Sequence, residues 1–423
     1  MTMHIVGSVD KDRLYCTGSL TKQLTTFVCL ALLAESHSLA DILDDENFLN
    51  SLAKNAETAS FLALFQKLIG GRFTLRDLCS YYSGLPYTFD LAEQELAAVE
   101  AGQPFKHHSI ADEKTFLAFC ANQITPVYND RCKFHYSEIA ILFLGYFIEK
   151  THGLTMEALY QKYLIVPFQL SASQFSRKRL PTAYYQDLTP HYDYPSVAIL
   201  DHGYFCYSNG FFTTLNDTKK LLENLLPHPV FQHMTDIKHA RAASNRLLNG
   251  LAVELRLVGD DIVYGYEGLS YSGCNLWAYS TKKKIGYITF SNDEEKIYDD
   301  IYDLIGYQDF DKVPDYTQLA YQAFLKAYDF QMPAHAVPQE FQGEYHRVRI
   351  NESELSDVFV LGKDFMVIRN PEEVRYDLVF VNGHFCIKGK DGVHGAKVGL
   401  HTALSGKRYF LFDGTLYRQI TAP

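Results

Sequence analysis

Residues 17–35, TGSLTKQLTTFVCLALLAE, join a serine and a lysine to the start of a strongly apolar helical pattern. From Leu24 to Leu33 the apolar positions recur at three- and four-residue spacing, which predicts a helix. Ser19 and Lys22 then share one face of its first turn, where the helix terminus adds a positive field. A serine hydroxyl is a weak nucleophile, and a lysine within hydrogen-bond reach helps to remove or relay its proton. The same spacing arises when a serine caps a helix ahead of a solvated lysine, so S-x-x-K alone leaves both readings open.

Further pieces follow in order along the chain. Thr74 to Pro86 reads TLRDLCSYYSGLP, 134–153 reads FHYSEIAILFLGYFIEKTHG, and 203–217 reads GYFCYSNGFFTTLND. DIVYGYEGLSYSG comes next at 261–273, and a later strand ends in Phe290-Ser291-Asn292. In order and spacing, from Leu14 to Asn292, these pieces resemble the serine β-lactamase-like family: class C β-lactamases, penicillin-binding-protein-like DD-peptidases and related esterases.

The resemblance implies an α+β fold, a β-lactamase/transpeptidase-like antiparallel sheet flanked by helices. It implies Ser19 as the acylated nucleophile, Lys22 as its lysine and Tyr136 as the group that takes the serine proton and passes it to the leaving group. Two positions depart from the family pattern. Glu138 stands where an asparagine amide is expected, and an ionised carboxylate accepts hydrogen bonds but donates none. An ion pair from Glu138 to Lys22 would hold the lysine protonated. Tyr266 stands where a lysine or histidine is expected, which weakens an anchor for a substrate carboxylate and favours an uncharged ester, amide or peptide. Gly268 is retained in Tyr266-Glu267-Gly268, where a side chain would obstruct a substrate lying along the strand. The oxyanion hole is expected from the backbone N–H of Ser19 and a second donor near Ser270 to Ser272.

Composition narrows the partners. The 423 residues carry 39 Lys and Arg against 50 Asp and Glu, a net charge of −11, and the longest basic block is Lys282-Lys283-Lys284. Nucleic acid and anionic membranes are therefore poor partners, since phosphate binding needs concentrated positive charge. The apolar runs near 27–34 and 139–148 fall short of the roughly 18 to 20 residues that cross a bilayer. The start, MTMHIVGSVDKD, has no secretory pattern, so the chain as it stands reads as cytoplasmic, or extracytoplasmic if an export segment precedes it. Eight cysteines without a C-x-x-C pair read as reduced core residues. His228, His233 and His239 share no helical face and His107-His108 falls in a polar loop, so neither set reads as a metal site; no cofactor is expected.

Helical periodicity also marks 57–69, 114–119, 137–150, 294–304 and 315–328, while GLAVELRLV, DIVYGY, NLWAYS and IGYITF read as antiparallel strands. Only 18 residues precede Ser19, room for one strand near His4 to Ser8. The sheet should then have an altered edge, open to pairing with another domain or with a second copy as a homodimer. Short runs from DVFVLG to RYFLFDG predict a small C-terminal all-β unit, lipocalin-like or barrel, so the chain divides into a catalytic unit at 1–305, a helical and Pro-containing linker at 306–340 and a β unit at 341–423. That last unit caps the cleft and selects substrates, or serves stability or dimerisation. Two functions remain open: a serine hydrolase acting through an acyl-enzyme on a small-molecule or peptide substrate, and a noncatalytic binding protein on the same scaffold.

Overall fold

The computed structural model describes residues 2–5, 11–87, 112–124, 134–178, 203–242, 247–258, 261–270, 273–291, 336–347, 358–370, 372–381, 384–388, 394–402, 408–412 and 415–421. Its first strand, β1 (Thr2–Ile5), lies slightly before the expected His4–Ser8 and pairs in parallel at the edge of the main sheet. A small sheet of β2 (Tyr15–Cys16), β3 (Gln174–Phe175) and β4 (Phe211–Thr213) is centred on β4. The main sheet continues with β5 (Arg241–Ala242), β6 (Leu247–Asn249), β7 (Glu254–Val258), β8 (Asp261–Ser270), β9 (Gly273–Ser280) and β10 (Ile285–Ser291). Its order is β1-β10-β9-β8-β7-β6-β5, antiparallel except for the β1–β10 pair.

The register follows the alternation of the sequence. Tyr266, Trp277 and Ile288 pair in a row across β8, β9 and β10, and all three are buried in the core. The basic turn at 281–284 closes the β9–β10 hairpin, with Lys284 at φ 58°. Asp261 holds that turn, accepting from the Lys282 N–H at 2.9 Å and the Thr281 hydroxyl at 3.1 Å.

Helix α1 (Leu20–Ala34) runs through the middle of the core, and every residue from Leu20 to Leu33 is buried. A helix buried on all faces needs partners for its polar side chains. Gln23 accepts from the Trp277 indole at 3.0 Å, and the Thr25 hydroxyl donates to the Tyr207 carbonyl at 2.7 Å. Beside it lies the helix Glu138–His152, which ends on Gly153 at φ 65°. Gly145 lets this helix meet the Cys206–Asn209 segment, since a Cβ there would lie 2.4 Å from the Tyr207 ring. Cys16, Cys29, Cys79, Cys120 and Cys206 are buried cysteines outside any disulfide among the described residues.

The C-terminal unit is a closed barrel of β11 (Gly343–Arg347), β12 (Val358–Leu361), β13 (Phe365–Asn370), β14 (Glu372–Val381), β15 (His384–Lys388), β16 (His394–Thr402), β17 (Arg408–Phe412) and β18 (Thr415–Thr421). Each strand pairs antiparallel with the next, and β18 returns to β11, so the closure leaves no open edge. Tyr345, Phe359, Met366, Phe410 and Tyr417 are buried together, and the rings of Phe359 and Tyr417 stand 4.3 Å apart. Val337 joins the same cluster and its N–H reaches the Lys363 carbonyl at 2.8 Å. The expected helices at 294–304 and 315–328, and most of the linker, lie outside the described residues.

Candidate active site

The serine sits in a turn held from two sides. Thr17 donates to the Phe211 carbonyl of β4 through both its N–H, at 3.0 Å, and its hydroxyl, at 2.9 Å. From β9 the Asn275 amide donates to the Thr17 carbonyl at 3.0 Å. Gly18 takes φ 50°, and tight bonds from Leu20 N to Thr17 O and from Lys22 N to Ser19 O start the helix. Ser19 occupies the cap position with αR angles, and its hydroxyl caps no backbone N–H. That hydroxyl instead accepts from Lys22 Nζ at 2.8 Å. Lys22 is fully buried, so the solvated lysine of the capping alternative is not what the fold contains.

Lys22 Nζ also donates to Glu138 Oε1 at 3.1 Å, forming a buried ion pair. Burial alone would lower the ammonium's pKa; the Tyr136, Glu138 and Tyr87 oxygens outweigh it and hold the group above its ordinary value. Lys22 is therefore a charged donor to Ser19 in this state, not a free base.

Tyr136 and Glu138 reach the same spot because Ser137 between them is extended, at φ −139° and ψ 116°, which turns residues i and i+2 to one side. Ser137 points the other way, donating to the Pro86 carbonyl at 2.6 Å while accepting from Ala140 N–H as the helix cap. Glu138 thus opens the helix, where the terminus favours its negative charge. The Tyr136 ring lies 5.1 Å from Lys22 Nζ, and its phenol is turned toward both Lys22 and Tyr266. Ser19 and Tyr136 meet through Lys22, which touches both.

Tyr266 is 2% exposed, and its hydroxyl is 2.6 Å from that of Tyr81. Burial raises the pKa of both phenols, so both stay neutral at ordinary pH. Gly268 makes room for the turn that carries Ser19: a Cβ there would lie 2.0 Å from the Thr17 carbonyl. Of the expected second oxyanion donors, Ser270 ends β8, and Tyr271 and Ser272 lie outside the described residues. His228 is spent structurally, accepting from Val230 N–H at a helix start and packing on Phe27.

Two further residues at the site were not singled out in the sequence. Tyr81 takes φ 61°, a conformation that costs a non-glycine residue about 1–3 kcal/mol. Its carbonyl accepts from His135 N–H at 2.7 Å, and its ring stands 5.0 Å from that of Tyr136. Tyr87 stacks on Tyr136 at 5.5 Å and accepts from the Glu138 N–H at 2.7 Å. Their signal is the tyrosine-rich run itself, YYSGLPY at 81–87, but its bending back onto residue 136 is a tertiary fact.

A main sheet backed by a buried helix that opens with Ser-x-x-Lys, facing a Tyr-x-Glu cap, defines a transpeptidase-like protein. The chain belongs to the Beta-lactamase family, whose model matches residues 3–309. Among solved structures it is similar to a D-stereospecific amidohydrolase from Streptomyces sp., at 20% identity and TM-score 0.51 over 70% of this chain and 88% of that one. It is similar to the octameric penicillin-binding protein homologue from Pyrococcus abyssi, at 16% identity and TM-score 0.52 over 96% and 88%. SurE with D-Leu aligns at 14% identity and TM-score 0.55, over 97% and 88%. No curated protein matches the chain in sequence. Among the described residues no helix is long and apolar enough to cross a membrane.

Proposed function

We propose that this protein is a serine hydrolase that acts through an acyl-enzyme on an ester, amide or peptide. The observation that carries this reading is the 2.8 Å contact between Lys22 Nζ and a Ser19 hydroxyl that caps nothing, with Tyr136 against the same ammonium. Ser19 Oγ adds to the carbonyl carbon, Tyr136 takes its proton and passes one to the departing group with the charge of Lys22 assisting, and water then releases the acyl chain. The D-stereospecific amidohydrolase and SurE with D-Leu among the structural neighbours direct the first assays to amides of both hands.

A second reading, a noncatalytic binding protein on this scaffold, draws on one observation: Glu138 is bonded to Lys22 and keeps it charged. Labelling by a fluorophosphonate or a fluorescent penicillin separates the two. The hydrolase reading expects labelling that Ser19→Ala abolishes. No labelling at high probe concentration, with no hydrolysis of nitrophenyl esters, leaves the binding reading standing.

A further inference from the structure

Glu138 uses only half of its carboxylate within the protein. Oε1 takes the Lys22 bond, whereas among the described residues no side chain or backbone group donates to Oε2, and 6% of the side chain's surface remains open. The oxygen is an acceptor that asks its visitor for an N–H or O–H. In the same site Tyr136 stacks with Tyr87, tilts against Tyr81 and has the Lys22 ammonium 5.1 Å from its ring centre, an aromatic group of the kind that attracts cations. Across the site Tyr266 offers no positive charge to an anionic group, and its phenol is engaged by Tyr81.

We propose that Glu138 selects substrates carrying an ammonium next to the scissile carbonyl: amides or peptides of an amino acid whose α-amine is free. This rests on the hydrolase reading of the same site. Ser19 Oγ and Glu138 Oε1 both lie within hydrogen-bond distance of one ammonium, which keeps the carboxylate within about 6 Å of the nucleophile. An α-ammonium is two bonds from the carbonyl carbon under attack, a reach that matches this separation. The contact has a second effect. A positive charge beside Oε2 competes with Lys22 for the carboxylate and loosens the lysine's hold on its proton, so the group that selects the substrate also moves Lys22 toward the free base.

The test compares phenylalanine p-nitroanilide, in both enantiomers, with its N-acetyl and desamino (3-phenylpropionyl) counterparts. On the unaltered protein kcat/KM is expected to be at least about tenfold higher for the free amine, and Glu138→Gln to bring the three within about threefold of one another. Equal or faster cleavage of the N-acetyl compound, or an undiminished preference in Glu138→Gln, overturns the proposal and leaves the hydrolase reading intact. A readout without turnover accompanies it: calorimetric binding of phenylalaninamide and N-acetylphenylalaninamide to Ser19→Ala. Tighter binding of the free amine, by a similar factor, supports ammonium selection even if no amide is cleaved and Ser19 takes no label. Equal binding refutes it.

Discussion

Lys22 Nζ and Glu138 Oε1 stand 3.1 Å apart in a place where the lysine has no exposed surface and the glutamate almost none. Breaking a buried pair by removing one member leaves the other charge without compensation, at about 3–5 kcal/mol. Lys22→Met and Glu138→Leu are each expected to destabilise the fold by that amount in urea unfolding. The double variant Lys22→Met/Glu138→Leu should recover most of the loss, since an apolar pair of similar volume replaces both charges. Additive losses would show that the two residues do not act as a pair.

Ser19 caps no backbone group, and its hydroxyl serves as an acceptor for the buried Lys22 ammonium, which keeps Glu138 as a second partner. Ser19→Ala is expected to lower unfolding free energy by about 1.5–3 kcal/mol, the range for a hydrogen bond to a charged group. The same variant should lower hydrolysis by about 10³-fold or more, the range for a lost nucleophile. A loss of stability beyond that range would instead mark Ser19 as structural.

The lysine sets a pH signature. Its folded pKa lies above the unfolded one, because Tyr136, Glu138 and Tyr87 overcome the effect of burial. The stabilisation from its charge is then fully present below the ordinary lysine value of 10.5 and lost as pH rises through the higher folded value. The stability difference between the unaltered protein and Lys22→Met should stay constant from neutral pH to 10.5 and shrink above it. A difference that fades below that value contradicts a raised folded pKa.

Gly268 couples strand β8 to the turn that carries Ser19. A methyl group at that position meets the Thr17 carbonyl at 2.0 Å, and the obstacle is backbone on both sides. Gly268→Ala should cost about 1–3 kcal/mol and displace Ser19 enough to suppress phosphonate labelling, even in protein that remains folded by circular dichroism. Retained labelling at normal rate would mean that the turn shifts as a unit.

Much of this was written in local pattern. The apolar periodicity of 24–33 and 137–150 is carried by helices Leu20–Ala34 and Glu138–His152, and the alternating runs from 254 to 291 pair as hairpins with the basic turn where expected. Short β-rich runs at the C-terminus were legible as a small β unit, because alternation and turn residues act over a few positions. Closure into a barrel depends on β18 meeting β11, more than sixty residues apart, and no local signal encodes that.

The site divides in the same way. Sequence alone determined that Ser19 and Lys22 share a helical face and that Tyr136 and Glu138 flank a helix start, since both are short-range consequences of backbone geometry. Only the tertiary structure decided that the two pairs meet, that Lys22 is buried and held charged by Glu138, and that Gly268 makes room for the Thr17 carbonyl. Charge state and close approach depend on what the rest of the chain brings from a distance of a hundred residues or more, and desolvation is a property of the packed interior, not of any one segment.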